Sequence, residues 1–338
     1  MKKKYLLTPG PTPLPPQVRK AQAEPIIHHR TPEFQEIFAE VNEGLKYLFQ
    51  SKNDIFTFAS SGTGAMEAAV VNLLSPGDKA IAVCSGKFGE RWAELCQAYN
   101  VEAISLNVEW GKAVQPEEIK RLLREHKDVK VVFTTLCETS TGVVHDIKAI
   151  GQVVKETNAV LVVDAVSGLG AEELQTDAWF VDCVVVGSQK GMMIPPGLAF
   201  CSTSPKAWKL VQSSKLPKYY FDLRLAKKSL DKNDTLFTPA ISLIVALRQS
   251  LRLIKEERLE NIFKRHQTMA QATRRALSAL GFKLFSSTFC NVLTAAYVPE
   301  GIDSTKLVKL MRDKYGLSIA NGQGKLKGRL IRLAHLGY

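Results

Sequence analysis

The sequence of 338 residues predicts an α/β fold: a large domain around a mostly parallel sheet, followed by a smaller C-terminal α+β domain. Three observations predict it. Short β-branched runs, Ala159 to Val163 and Val181 to Val186, read as strands buried on both faces, the habit of parallel sheets. Strand-like and helix-like stretches alternate from Phe56 to Cys201. From roughly Ser242 to Leu280 the period is helical for a long stretch before strands return.

The elements follow in order. A proline-rich start (Pro9, Pro11, Pro13, Pro15, Pro16) opens the chain as an arm. Phe56 to Ala59 is a strand leading into Ser60-Ser61-Gly62-Thr63-Gly64, and Ala65 to Leu74 is a helix stopped by Ser75-Pro76-Gly77-Asp78. A strand over Lys79 to Cys84, a helix over Phe88 to Tyr99 and a strand over Val101 to Leu106 come next. Pro116 to His126 is helical, Val129 to Thr135 extended, and Asp146 to Thr157 helical before the two β-branched runs. Leu198 to Cys201 completes the sheet region. In the smaller domain, Lys283 to Phe285, Val292 to Val298 and Arg329 to Leu333 are strands and Ser304 to Tyr315 a helix. The expected boundaries are an arm over residues 1–17, the large domain over 18–256 and the small domain over 257–338.

Composition excludes whole classes of function. A hydrophobic content of 45% with 23% charged residues is that of a globular enzyme, not a disordered chain. No apolar run approaches the roughly 20 residues a membrane helix needs. Met1 to Leu7 meets Pro9-Gly10-Pro11 too early for a signal peptide, so a cytoplasmic protein without a membrane partner is expected. The six cysteines (Cys84, Cys96, Cys137, Cys183, Cys201, Cys290) show neither metal-ligand spacing nor a disulfide framework. A net charge of +12 lacks the basic-aromatic interleaving of a nucleic-acid binder. It suits anionic substrates and a phosphorylated cofactor better.

Two strand ends carry the chemistry. The first β-branched run ends in Asp164, and the second continues into Gly187-Ser188-Gln189-Lys190. Carboxyl ends of parallel strands open onto a ligand crevice, so a carboxylate and an amine are expected to converge there. Upstream, a strand, Ser61-Gly62-Thr63-Gly64 and a helix form the arrangement that presents free N–H groups and a positive dipole end to a phosphate. Taken singly, each has a plainer reading: a capped helix, a turn-forming aspartate, a surface lysine. Together they match what pyridoxal 5'-phosphate requires. It needs a desolvated lysine able to form an imine, a carboxylate that keeps the ring nitrogen protonated, and a phosphate anchor.

Further motifs run from end to end: Thr8-Pro9-Gly10-Pro11-Thr12, Ser61 to Ala68, Glu138-Thr139-Ser140-Thr141-Gly142-Val143, Val163-Asp164-Ala165-Val166-Ser167 and Arg329-Leu330-Ile331-Arg332. With them the sequence resembles the class V aminotransferases, pyridoxal phosphate enzymes of fold type I. Within that family it is most similar to the alanine–glyoxylate and serine–glyoxylate (serine–pyruvate) group. The resemblance implies a seven-stranded sheet in the large domain. It implies that Ser61, Gly62 and Thr63 hold the cofactor phosphate with Gln189 beside them. Asp164 would meet the pyridinium nitrogen and Lys190 the aldehyde carbon, with Val166 under the ring and Thr139 near its hydroxyl. Phe88 falls where relatives stack an aromatic ring, often Trp. Arg332 takes the place of the arginine that grips the substrate α-carboxylate, a bidentate task. Thr238 matches a threonine lent to the neighbouring subunit's phosphate, which implies a homodimer. Relatives usually continue beyond the Arg332 strand, so the small domain is expected to be shortened at Gly337-Tyr338.

The implied activity is ping-pong transfer of an amino group from alanine or serine to glyoxylate or another small 2-oxo acid. Phosphonate or phosphoserine transamination stays open. Cysteine desulfurases usually carry histidines where this sequence has Gln189 and Phe88. A different class is a partner-bound subunit of a soluble hydrogenase-type complex, against which the intact Asp164 and Lys190 stand. His28, His29, His145 and His335 are read as structural or exposed, since Lys190 can itself shuttle the proton.

Overall fold

The computed structural model describes residues 4–338. At its centre lies a sheet of seven strands: β1 (Asp54–Phe58), β2 (Lys79–Cys84), β3 (Glu102–Asn107), β4 (Val129–Thr135), β5 (Val160–Asp164), β6 (Cys183–Gly187) and β7 (Ala199–Thr203). Their order is β1-β7-β6-β5-β4-β2-β3, and within this sheet only β7 runs antiparallel to its neighbours.

Every residue of β5, β6 and β7 is buried, and the alternation of side chains explains how. Leu161, Val163, Val184, Val186 and Phe200 point to one face, where helices Pro32–Phe49, Ile147–Val154 and Ile241–Glu257 pack. Val160, Val162, Cys183, Val185, Ala199 and Cys201 point to the other, against helices Gly62–Leu73, Lys87–Ala98 and Pro205–Ser213. Each such large side chain buried stabilises the fold by about 1.5–3 kcal/mol. A slip of one residue would exchange the two faces, so this double burial also fixes how far Asp164 projects at the end of β5.

The expected α/β architecture is observed, with β2 and β4 at the anticipated limits. Local features differ, and besides the unassigned helices Pro16–Gln22, Pro205–Ser213 and Leu223–Leu230 three stand out. The helix after Ser61 begins at Gly62 rather than Ala65, so the glycines form its first turn. The long helical stretch is two helices, Ile241–Glu257 and Leu259–Ala279, because Arg258 adopts φ +68° and breaks the ladder. The sequence reading also assigns no element to Pro32–Phe49, passing from the prolines straight to the first β-run. There Thr31 Oγ1 accepts the Phe34 N–H as an N-cap, and Phe34, Ile37, Phe38, Val41, Leu45 and Leu48 form the buried stripe.

Farther along, β8 (Lys283–Leu284), β9 (Leu293–Tyr297), β10 (Ala320–Asn321) and β11 (Leu330–Ala334) form an antiparallel sheet in the order β8-β9-β11-β10. Helices Leu259–Ala279 and Ser304–Tyr315 pack on it through Leu277, Leu307, Val308 and Met311. Tyr5–Leu6 pairs in parallel with Leu317–Ser318, and the Leu7 carbonyl accepts the Ala334 N–H. The arm then crosses to the end of β6, where the Thr12 N–H donates to the Gln189 carbonyl. Among the described residues no helix is long and apolar enough to cross a membrane.

Candidate active site

The candidate site lies at the carboxyl ends of β4, β5 and β6. Asp164 closes β5, in register with Thr135 and Val185 on the flanking strands. Its Oδ1 accepts the Val166 N–H at 2.8 Å, and no ion pair reaches it among the described residues. Burial pushes this carboxyl up to about 7, against the Val166 hydrogen bond, while the charge of Glu138 raises it and those of Arg91 and Lys190 lower it.

Lys190 sits on the turn after β6. Its carbonyl accepts from Thr12 Oγ1 at 3.1 Å, and the turn is braced by Ser188 Oγ, which donates to the Pro195 carbonyl at 2.7 Å. The ammonium donates to the Pro9 carbonyl. Gly10 makes that approach possible: at φ +101°, a methyl group there would stand 2.5 Å from Lys190 Cδ and Cε. Burial lowers the amine to about 8, with Asp164 acting upward and Arg332 downward. Lys190 therefore feels both the Asp164 and the Arg332 charges.

Arg332 reaches the cleft from β11. Its Nη1 donates to the Thr139 carbonyl and its Nε to the Asn321 carbonyl, each at 2.9 Å. It is 7% exposed and has no carboxylate partner among the described residues. Burial lowers it to about 10, with Glu138 acting the other way. A buried guanidinium held by two carbonyls, with no anion of its own, has the chemistry to pair with a carboxylate.

The helix Gly62–Leu73 begins beside Val166, and its backbone ladder starts only with the Gly64 and Ala65 amides, which donate to the Ser61 carbonyl. Gly62 packs so closely on Val166 that an added Cβ would lie 2.7 Å from Val166 Cγ2. Gln189 lies against the same helix start: a Cβ on Gly187 would meet both Gln189 Oε1 and the Gly62 nitrogen, at 3.0 and 3.3 Å. Gln189 Oε1 is buried without a hydrogen-bond partner, and Thr63 Oγ1 accepts from Arg91 Nη1 at 3.2 Å. Phe88 lies at the start of helix Lys87–Ala98 with the Arg91 guanidinium 5.0 Å from its ring centre.

Ser61, Gly62, Thr63, Val166 and Gln189 thus gather at the helix start, while Asp164 is tied to Val166, Arg332 to Thr139, and Lys190 feels the charges of both Asp164 and Arg332. Thr238 stands apart. It is exposed, in a small crevice with Ala59, Tyr220 and Phe237. The histidines do not enter: His145 is buried between Ser85 Oγ (2.8 Å) and the Val114 N–H (3.2 Å), and His335 accepts or donates only to Asn291 and Thr294.

Three contributors escaped sequence reasoning. Glu138 is wholly buried and accepts from the Phe88 and Gly89 amides and from both Ser140 N and Oγ, so one carboxylate ties the Phe88 helix to the Thr139 segment. Burial raises its carboxyl, against those hydrogen bonds. Arg91 and the Pro9-Gly10 step are the others. A charged residue inside an otherwise uncharged motif was the available signal for Glu138; Gly10 had none beyond its place among prolines.

Comparison with known proteins finds relatives over nearly the whole chain. A family profile described as aminotransferase class-V matches residues 4–327. A protein named as the small subunit of a soluble hydrogenase from Synechococcus sp. is 43% identical, over 99% of this chain and 88% of its own length. An L-aspartate–glyoxylate aminotransferase from Paracoccus denitrificans is 37% identical over 98% of this chain and 86% of its own. The crystal structure of an alanine–glyoxylate aminotransferase from Nostoc sp. superposes with a TM-score of 0.96 at 29% identity, covering 100% of this chain and 91% of that one.

Proposed function

This chain belongs to the class V aminotransferase family, and from that premise we propose that it moves an amino group from alanine or serine to glyoxylate or another small 2-oxo acid. What supports the reading is that buried Lys190 lies near enough to feel both the Asp164 carboxylate and the charge of Arg332, a buried guanidinium that no carboxylate pairs among the described residues. The site fits pyridoxal 5'-phosphate on the same grounds. Asp164 is a buried carboxylate with no salt-bridge partner among the described residues, and at the start of helix Gly62–Leu73 the Gly62 and Thr63 amides precede the first backbone bond, that of Gly64 to the Ser61 carbonyl.

When bound, that cofactor supplies an aldehyde reactive toward amines and a ring that accepts the electron pair released at the substrate Cα. Ser61, Gly62, Thr63 and Gln189 would hold its phosphate and Asp164 its protonated nitrogen, with Val166 and Phe88 against the ring faces and Thr139 near its hydroxyl. Arg332 grips the substrate α-carboxylate and so orients the Cα–H bond toward Lys190. With an amine lowered to about 8, Lys190 is about half neutral at that pH and can take the Cα proton and return it. Glu138, by fixing both Phe88 and Thr139, keeps the walls in place and water out.

The same reading makes Thr238 a contributor to a partner's site in a homodimer, supported by the exposed Tyr219 and Tyr220 packed against half-buried Phe237 around it. Six free thiols suit a cytoplasmic protein. Replacing Lys190 with alanine tests the assignment. The visible absorbance of the purified protein and its amino-transfer activity should both vanish; surviving ping-pong turnover would refute it. The name of the Synechococcus relative motivates a second reading, a partner-bound subunit. That reading gains if a redox partner copurifies stoichiometrically and no amino acid bleaches the absorbance in a single turnover.

A further inference from the structure

A second constellation, which amino transfer does not use, joins three segments distant in sequence. Cys137 follows β4, Glu172 lies between β5 and β6, and Cys290 precedes β9, yet the two sulfurs and a carboxylate oxygen all lie within 4.8 Å of one another. All three side chains are buried. The Cys137 thiol points at Glu172 Oε1 over 3.8 Å, and Glu172 also accepts from the Asn291 N–H and, at 3.0 Å, from Asn291 Nδ2. Arg274 Nη1 donates to the Cys290 carbonyl at 3.1 Å, and its charge acts on both Glu172 and Cys290. Glu172 and Asn291 also line a surface cleft shared with Glu173, Glu260 and Gln267, which provides an entry path for a small cation.

We propose that Cys137, Glu172 and Cys290 form a binding site for a thiophilic divalent cation of the zinc type. Two sulfurs and one oxygen are the donors zinc prefers, whereas calcium and magnesium require oxygen alone. Zinc–sulfur bonds of about 2.3 Å put neighbouring ligands of a tetrahedron roughly 3.8 Å apart. The observed spacing of up to 4.8 Å reaches that with small side-chain shifts. As the two metal–sulfur bonds form, both thiol protons leave to solvent; the Glu172 carboxylate is the third ligand and a water from the cleft the fourth. Two thiolates, one carboxylate and a divalent ion sum to one negative charge, which Arg274 offsets.

The ion would join segments that frame the cleft. Cys137 immediately precedes Glu138, and Cys290 leads into β9, whose Ala295 pairs with Arg332. Occupancy would therefore hold the two cleft walls together. The proposal stands apart from the amino-transfer reading.

Its test is titration of the full-length reduced protein, freed of metal by a chelator, with Co2+ and then Zn2+, followed by difference absorption. One Co2+ per chain is expected, with thiolate-to-cobalt charge-transfer absorption that Zn2+ abolishes and release of about two protons per ion. Cys137→Ser and Cys290→Ser should each lose the absorption. Glu172→Gln should keep it but weaken the ion at least about tenfold. Circular dichroism identifies which variants are folded, and if Cys290→Ser is not, Cys137→Ser decides. Absence of charge-transfer absorption in the folded parent protein, or equal absorption in a folded serine variant, overturns the proposal.

Discussion

Replacing Asp164 with asparagine should make the cofactor-free protein more stable and the enzyme less active, because one buried carboxylate serves the site against the fold. Burial raises this carboxyl from 3.8 to about 7. At about 1.4 kcal/mol per pH unit, ionised Asp164 costs the folded protein about 4 kcal/mol above that pH. Because the folded value lies above the unfolded one, the folded state binds more protons between about pH 4 and 7, so stability falls across that window and stays low beyond it. Asparagine cannot ionise, and its oxygen still accepts the Val166 N–H. The variant should therefore lack this fall and exceed the parent by about 2–4 kcal/mol at about pH 8, the lower end allowing for an unmatched amide N–H. Amino transfer should drop at least about 100-fold, since the ring nitrogen loses its anionic partner. Urea unfolding of both cofactor-free proteins from about pH 4 to 8 measures the slopes. Equal slopes, or a variant no more stable at the upper end, would refute the reasoning.

Lys190 in the cofactor-free protein should react with an amine-selective acylating reagent with a midpoint near pH 8, read by peptide mass spectrometry; a midpoint above about 10, that of an ordinary lysine, contradicts its desolvation. Arg332→Lys should raise KM for the amino donor about 10- to 100-fold while leaving the cofactor absorbance intact, because a point charge replaces a planar fork. Altered absorbance with unchanged KM would move Arg332 away from the substrate. Gly10→Ala combines a backbone strain of about 1–3 kcal/mol with a methyl group against Lys190. It should lower both the melting temperature and the visible absorbance, and a spectrum like the parent's would show that Lys190 does not depend on that close approach.

The sequence by itself determined the strands, because β-branched runs such as Val160 to Val163 carry their own period and their own stop at Asp164. It also determined which residue types stand at their ends, and the motif order that places the chain in its family. Elements whose signals lay between the prolines and the first strand, above all Pro32–Phe49, were legible in principle from Thr31 and the apolar stripe. The reversal at Arg258 was not, since nothing local distinguishes that arginine from its helical neighbours. Only tertiary structure brought Glu138 under Phe88, Gly10 against Lys190, and Cys137 beside Glu172 and Cys290. Periodicity and turn chemistry act over a few residues and are written in order along the chain. Which distant segments meet is decided by the packing of two sheets and their helices as a whole, and that leaves no mark at any one position.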